Sequence, residues 1–142
     1  HAVMAMIARG YLKLDPFEVW GDGEQIRNWT YVEDIVSGTI AAAEKIHDGT
    51  SINLGTMERI KVKECAQQVI DTLNPDASIK LLPDKPTGPL NRVASNELAQ
   101  KLLGWSPRTK FLDGLQKTID WYIESKSTEQ AKIDLAKKVV GR

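Results

Sequence analysis

The sequence of 142 residues has little cysteine, no net charge and no long apolar run. Its single cysteine, Cys65, rules out an internal disulfide framework and fits a reducing compartment, so we expect a cytoplasmic protein. The 19 basic and 19 acidic residues cancel, which leaves no long-range attraction to nucleic acid or to an anionic membrane, and we predict neither partner. Any anion site must therefore be local. No apolar run approaches the roughly 18 residues of a membrane span.

Histidine is also scarce. The only two, His1 and His47, lie far apart and lack ligand-like neighbours, so we predict no metal site. No signal peptide is visible, and a helical pattern starts at once, so we expect the chain to begin inside a structured region. The remaining composition, 42% hydrophobic and 27% charged, is typical of a folded domain. The length suits one domain or one large piece of a two-domain protein.

The apolar spacing predicts interleaved helices and short strands. Residues 2–12 form a predicted helix, and residues 51–55 a predicted strand that ends in a turn. A strongly amphipathic helix should follow Thr30, with one apolar stripe: Val32, Ile35, Val36, Thr39, Ile40, Ala43 and Ile46. Other predicted features are a strand at 17–20, a helix that Asn74 stops, a strand near 79–82, a Pro/Gly-rich loop at 83–89 and two further helices before the polar tail. The fold class is therefore α/β, with several helices around a few short strands.

Residues 20–34 are the most informative run of the chain. Gly21 and Gly23 predict a turn whose backbone N–H groups are free, and Thr30 with Glu33 has the spacing of a capping box at a helix start. Between them, Arg27 offers a fork of donors that matches phosphate oxygens and stays charged. The spacing leaves two interpretations open: an anion-binding arginine, or a surface arginine paired with a nearby carboxylate.

Several other side chains could carry chemistry. Arg92 follows the Pro/Gly-rich loop, so two arginines from distant segments could grip a diphosphate, although a lone loop arginine is more often solvated. Asn53 could donate to a phosphate or close an Asx turn, and Trp20 could stack on a base or belong to the core. Glu33 and Asp34 are general-acid candidates by type, but their place in a first helical turn favours a structural role.

A possible catalytic pair lies near the end of the chain. Tyr122 and Lys126 have the Tyr-x-x-x-Lys spacing that short-chain dehydrogenases use. Here Tyr122 completes an apolar helical stripe, so we assign it to the core and predict no catalytic residue. The tail, residues 126–142, is predicted as a polar helix that Ser127 and Gln130 cap and that ends near Val140.

Four motifs in one order carry a family resemblance. They are residues 19–34; Ile52-Asn53-Leu54-Gly55; residues 85–92; and Leu103-Gly104-Trp105-Ser106-Pro107 with Gly114-Leu115 and Asp120-Trp121-Tyr122. Together they resemble the extended short-chain dehydrogenase/reductase family, and more narrowly its NAD-dependent nucleotide-sugar epimerases and dehydratases. The resemblance covers residues 1–125 and excludes the tail.

The resemblance implies roles for particular residues. In such enzymes the arginine after the Gly-Asp-Gly turn contacts the diphosphate of the substrate, which implies that role for Arg27. A second arginine after the Pro-rich loop does the same, which implies Arg92. The asparagine of the Asn-Leu-Gly segment approaches the phosphates, which implies Asn53. The strand before the turn lies against the base, which implies Glu18 and Trp20.

The resemblance also implies what this sequence lacks. The Gly-rich dinucleotide fingerprint and the catalytic Tyr-x-x-x-Lys pair belong to an N-terminal Rossmann domain that is absent here. We therefore expect residues 1–125 to be the substrate-binding domain of an NAD-dependent epimerase/dehydratase. The chain alone would bind no cofactor and be inactive, whereas the full-length parent would use NAD(P).

Two alternatives stay open. The chain could be a free-standing module that binds a nucleoside diphosphate sugar without chemistry. It could also be an assembly fragment that pairs with a missing Rossmann half or with itself. The apolar faces at residues 3–7 and 32–46 are generous for so small a sheet, which motivates the second alternative.

Overall fold

The structure, a computed structural model, describes residues 2–140, with side chains as far as residue 136. Its helices are α1 Ala2–Tyr11, α2 Val32–Lys45, α3 Val62–Leu73, α4 Glu97–Leu103, α5 Phe111–Ser125 and α6 Thr128–Val140. Its strands are β1 Phe17–Trp20, β2 Ile26–Arg27, β3 Ile60–Lys61, β4 Ile79–Leu82 and β5 Asn91–Arg92. The predicted α/β class, with several helices and a few short strands, is confirmed.

The chain divides into two compact units. The first unit comprises residues 1–25, 61–90 and 118–142, and the second comprises residues 26–60 and 91–117. Each unit is thus assembled from segments that are distant in the sequence. The predicted division into a domain over residues 1–125 and a tail stays a prediction.

In the first unit, β1 and β4 form a parallel pair. The register runs from Phe17 opposite Ile79 to Trp20 opposite Leu82. Alternation along β1 buries Phe17 and Val19 and leaves Glu18 and Trp20 half-buried on the other face. The strand therefore has a core face and a face that can carry function.

Helices α1 and α3 pack together beside β1. Helix α1 buries Met6, Ile7 and Ala8. Gly10 allows the close approach of α3, because a Cβ atom there would lie 2.9 Å from a methyl carbon of Val69. Cys65 of α3 is fully buried, and burial raises its pKa to about 12, so this thiol is not reactive.

The tail helix α6 packs on α1 in the same unit. Half of its predicted capping box is present, since the Gln130 amide donates to the Ser127 hydroxyl at 3.1 Å, whereas the Gln130 side chain donates to the Asp134 carboxylate at 2.8 Å. Ala131 is completely buried, and the Tyr11 hydroxyl donates to the Lys126 carbonyl at 3.1 Å. The tail is thus an integral part of this unit's core. No helix in the described part of the chain is long and apolar enough to cross a membrane.

In the second unit, β2 and β5 form a parallel pair and α2 packs against α4. Trp105, 7% exposed, fills the centre of the apolar cluster, and its indole N–H donates to the Ser37 hydroxyl at 3.0 Å. Gly38 leaves room for that ring, because a Cβ atom would lie 2.9 Å from it. The rest of the cluster is Ala41, Ala42, Ile46, Ile52, Leu54, Ala99 and Leu103.

The predicted strand over residues 51–55 is wrong. No residue from 51 to 59 belongs to a strand. The alternation that motivated the prediction exists, since Ile52 and Leu54 pack on the apolar cluster while Asn53 is exposed. A strand also needs a hydrogen-bonded neighbour, and no described strand pairs with this segment.

The predicted capping box of Thr30 and Glu33 is also wrong. Helix α2 starts at Val32 with Tyr31 as N-cap, and no side chain caps it. The Thr30 hydroxyl lies one residue too early and instead accepts the Thr56 amide at 2.9 Å. Hydrogen bonding to a distant segment has replaced local capping.

The apolar stripe of α2 is largely exposed. Val32, Val36 and Ile40 are 62%, 50% and 55% exposed, whereas the buried positions are Asp34 and Gly38. The helix therefore turns a small and polar side toward its own unit and an apolar side to solvent, the reverse of the usual arrangement for a surface helix.

Candidate anion-binding site

The parallel pairing of β2 and β5 brings two predicted site residues together. Arg27 and Arg92 are direct register partners within the second unit. Neighbouring strands lie about 4.8 Å apart, and paired residues of parallel strands share a face of the sheet. Two side chains with permanent positive charge therefore start from neighbouring backbone positions, an arrangement that could meet an anion of more than one charge.

The surroundings of Arg27 bear on its alternative interpretation as a surface ion pair. Its guanidinium donates to the Ile26 carbonyl at 2.8 Å, and the residue is half-buried. Of the two nearby carboxylates, Glu24 pairs with Lys61 and Lys63 in the first unit. The pKa of Glu24 falls to about 2, chiefly through the hydrogen bond from Lys63 and then that from Lys61. This carboxylate is thus neutralised by lysines.

The second carboxylate, Asp34, is 5% exposed in the second unit. Its two oxygens accept the backbone amides of Arg108 and Thr109, each at 2.9 Å. Burial alone would raise the pKa of Asp34, but the hydrogen bonds from these two residues lower it overall. Asp34 is therefore an ionised structural anchor, as its position in the first helical turn suggested, and an unsuitable general acid.

The other acidic residue of this turn, Glu33, is exposed, and its carboxylate lies 4.0 Å from the Lys117 ammonium.

The glycine turn of the first unit has the expected backbone conformation, but its backbone N–H groups are hydrogen-bonded. Gly21 and Gly23 have φ values of 78° and 75°, as the turn requires. The amide of Gly21 donates to the Leu82 carbonyl at 2.8 Å, and that of Glu24 donates to the Asp22 carboxylate at 3.0 Å. The prediction of free backbone N–H groups is wrong at these positions, because the turn uses them to dock on β4 and to close an Asx turn.

The half-buried face of β1 holds the two residues predicted to lie against a base. Trp20 lies under the Lys85 ammonium, which is 5.8 Å from the ring centroid. Glu18 interacts electrostatically with Arg9. Burial lowers the pKa of Arg9, and the negative charge of Glu18 partly offsets this decrease. Both residues thus have partners within the first unit, and their role toward a ligand stays a prediction.

Asn53 is exposed on the segment that precedes Gly55 in the second unit. This segment is tied to the end of β2, because the Asn28 side-chain amide donates to the Thr56 carbonyl at 2.9 Å. Sequence reasoning did not identify Asn28 or Thr56. The only signal was the position of Asn28 directly after the candidate arginine.

Tyr122, of the Tyr-x-x-x-Lys spacing, lies in the core, as predicted. Tyr122 is 1% exposed in the first unit, and its ring packs edge-on against Tyr11 at 5.6 Å between centroids. Burial raises the pKa of Tyr122, with further contributions from Asp134 and Tyr11, so the hydroxyl stays protonated at neutral pH. Within the part of the chain that the structure describes, no three His, Cys, Asp or Glu side chains are grouped to hold a metal ion.

Comparison with known sequences finds relatives over most of the chain. The profile of the family described as GDP-mannose 4,6 dehydratase matches residues 1–118. GDP-mannose 3,5-epimerase of Arabidopsis thaliana is 30% identical over 131 residues, which are 92% of this chain and 34% of the relative. UDP-glucuronic acid decarboxylase 2 of the same plant is 35% identical over 104 residues, 73% of this chain and 23% of the relative. The chain spans about a third or less of these relatives.

Solved structures agree. The epimerase Mth375 of Methanothermobacter thermautotrophicus superimposes with a TM-score of 0.81 at 28% identity, covering 87% of this chain and 37% of that one. UDP-glucuronic acid 4-epimerase of Bacillus cereus, in complex with UDP-glucuronic acid and NAD, gives 0.79 at 27% identity, covering 89% and 40%. This chain thus shares its fold with a minor part of each of these proteins.

Proposed function

Because the chain belongs to the GDP-mannose 4,6 dehydratase family, whose profile covers residues 1–118, we propose that it is the part of an NAD-dependent nucleotide-sugar epimerase or dehydratase that binds the nucleoside diphosphate sugar. The observation that carries the proposal is the register pairing of Arg27 with Arg92. Two forked guanidinium groups carried by neighbouring strands suit the two phosphates of such a ligand. The named relatives act on GDP- and UDP-sugars, which supports the same ligand class here.

The cofactor belongs elsewhere in this proposal. NAD would supply the hydride chemistry of the parent enzyme. A dinucleotide fingerprint needs a glycine turn that opens a helix, with free amides for the pyrophosphate. The described turn at Gly21 and Gly23 leads into strand β2, and the Gly21 amide is bonded to Leu82. This turn therefore does not fit the cofactor, and we assign the chain only to holding and orienting the substrate.

Calorimetric titration of the full chain with UDP-glucuronic acid and with GDP-mannose tests the binding role. We expect binding of at least one ligand below millimolar concentration. Arg27→Gln and Arg92→Gln should each weaken it about 10- to 100-fold, since a charge-assisted hydrogen bond contributes about 1.5–3 kcal/mol. Arg108→Gln is the matched control, because Arg108 is exposed and contributes its backbone amide to Asp34. Absence of binding by both ligands, or equal loss in the control, would overturn the proposal.

The same purified proteins test whether the chain alone is catalytically inactive. With either sugar nucleotide and NAD, the chain alone should give no NADH absorbance and no epimerised sugar. Turnover by the purified chain would refute this part of the proposal. Tight binding without turnover is also what a free-standing binding module would give, so a second experiment, on association, is needed to separate the two.

The exposed apolar stripe of α2 favours pairing with a further part of a parent enzyme or with a second copy. Val32, Val36 and Ile40 stand one helical turn apart and all are at least half exposed. A solitary binding module gains nothing from such a stripe, whereas an interface would bury it. Sedimentation should show self-association of the isolated chain, or a complex when the remainder of the parent is supplied. A chain that stays strictly monomeric and does not bind that remainder would instead support the free-standing binding module.

We also place the protein in the cytoplasm, which its single buried thiol supports.

A further inference from the structure

The Thr56 backbone is held at both of its polar groups by side chains from one short segment. The Asn28 amide donates to the Thr56 carbonyl at 2.9 Å, and the Thr56 amide donates to the Thr30 hydroxyl at 2.9 Å. Thr56 is only 5% exposed, so both bonds are protected from competition by water. We call these three residues, Asn28, Thr30 and Thr56, the clasp.

The hydroxyl of Thr30 has a defined orientation in the clasp. It donates to the Asn28 carbonyl at 3.4 Å, which leaves a lone pair for the Thr56 amide. The fit is close, because a Cβ atom on Gly55 would lie 3.1 Å from the Asn28 amide nitrogen. The hydroxyl thus donates within its own segment and accepts from the Thr56 segment, which explains why it does not cap α2.

The two segments that the clasp joins carry candidate ligand groups. Asn28 directly follows Arg27, and Thr56 lies three residues after Asn53. Because residues 51–59 belong to no strand, no sheet hydrogen bonds fix the Asn53 segment. The clasp is the described polar connection that holds this segment to the end of β2.

We propose that Thr30 is a positioning residue of the anion site: it fixes the Asn53 segment against the Arg27 strand, so that a diphosphate meets both side chains in a preorganised geometry. The inference rests on the proposed function and deepens it. A segment that must order itself during binding lowers affinity, and a preordered one does not. The expected signature is therefore a change in affinity that a purely structural hydroxyl would not cause.

The test uses a matched pair of variants in the full chain. Thr30→Val keeps the shape and removes the hydroxyl, whereas Thr30→Ser keeps the hydroxyl. UDP-glucuronic acid and GDP-mannose are titrated by calorimetry, and exchange of the Thr56 amide hydrogen is followed by NMR. We expect Thr30→Val to weaken binding about tenfold and to accelerate the exchange at least tenfold. Thr30→Ser should stay within about threefold of the wild type in both.

The outcomes separate the two proposals. Fast Thr56 exchange with unchanged affinity in Thr30→Val would overturn the positioning role and leave the proposed function intact. No binding by the wild type would overturn both. If Thr30→Val does not fold, Asn28→Ala removes the other arm of the clasp and provides the same two readouts. Equal loss of affinity in Thr30→Val and Thr30→Ser would also count against a role of the hydroxyl.

Discussion

The two units of this chain are stabilised by different means. The first unit holds most of the fully buried apolar side chains among the described residues: Ile7, Ala8, Phe17, Cys65, Ala66, Val69, Ile70, Ile119, Tyr122 and Ala131. The second unit has a small cluster around Trp105 and relies on polar side chains that bond distant backbone, such as Asp34, Asn28 and Thr30. It also exposes the apolar side of α2.

This difference indicates different tasks. A unit with a large apolar core of its own is stabilised mainly by the burial of that core. A unit that depends on buried polar bonds gains precise positions for its loops but little hydrophobic stabilisation, and its exposed stripe suits a partner. The candidate arginines lie in this second kind of unit, where fixed backbone positions matter for binding.

The largest effect is expected in the core of the first unit. Phe17→Ala removes a completely buried ring from β1 and should destabilise the chain by about 3–5 kcal/mol. Urea denaturation followed by circular dichroism measures this change. Leu81→Ala, at a 45% exposed position on the paired strand, should cost less than half as much. Similar losses in the two variants would contradict the dependence of stability on the burial of Phe17.

A smaller effect should come from the polar anchor of the second unit. Asp34→Asn removes the charge that accepts two amides and should cost about 2 kcal/mol at pH 7, within the range for hydrogen bonds to charged groups. Because the folded-state pKa of Asp34 is lowered, its stabilisation is full above the unfolded value of about 3.9 and is lost as pH falls through the folded value.

The difference between wild type and Asp34→Asn should therefore shrink below about pH 4. Urea midpoints between pH 3 and pH 7 measure it. Asp113→Asn, at an exposed position in the first turn of α5, is the control and should change stability by less than about 0.5 kcal/mol. A difference that stays constant across this pH range would show that the Asp34 charge does not contribute.

The smallest effect on stability is expected on the exposed stripe. Ile40→Lys should change the free energy of unfolding by less than about 0.5 kcal/mol, since the side chain is already 55% exposed. It should nevertheless abolish association through α2, as seen by sedimentation. Gln68→Lys adds the same charge at an exposed position of α3, outside the stripe, and should leave association intact. Strong destabilisation by Ile40→Lys would mean that the stripe serves the unit's own fold.

Much of this protein could be predicted from its sequence. The glycine turn, strands β1 and β4, the stop of α3 at Asn74 and the cap at Ser127 follow from local chemistry, since each depends on a few neighbouring residues. The family resemblance, carried by four ordered motifs, was confirmed by the family profile. Periodicity alone also identified the apolar stripe of α2.

Other features depended on residues far apart in the chain. Periodicity gave the alternation of residues 51–55 but could not supply a neighbouring strand, and local spacing assigned Thr30 to a cap that it does not make. Nor does a helical pattern state which face a helix buries, as α2 demonstrates with its exposed Val36.

The sequence by itself determined the residue types of the candidate site: two arginines that cannot lose their charge, and the turn and loop chemistry that precede them. Only the tertiary structure decided that Arg27 and Arg92 are register partners and that Thr30 holds Thr56. The physical reason is that charge and backbone preference belong to single residues, whereas strand register and buried hydrogen bonds arise only when segments distant in sequence pack together.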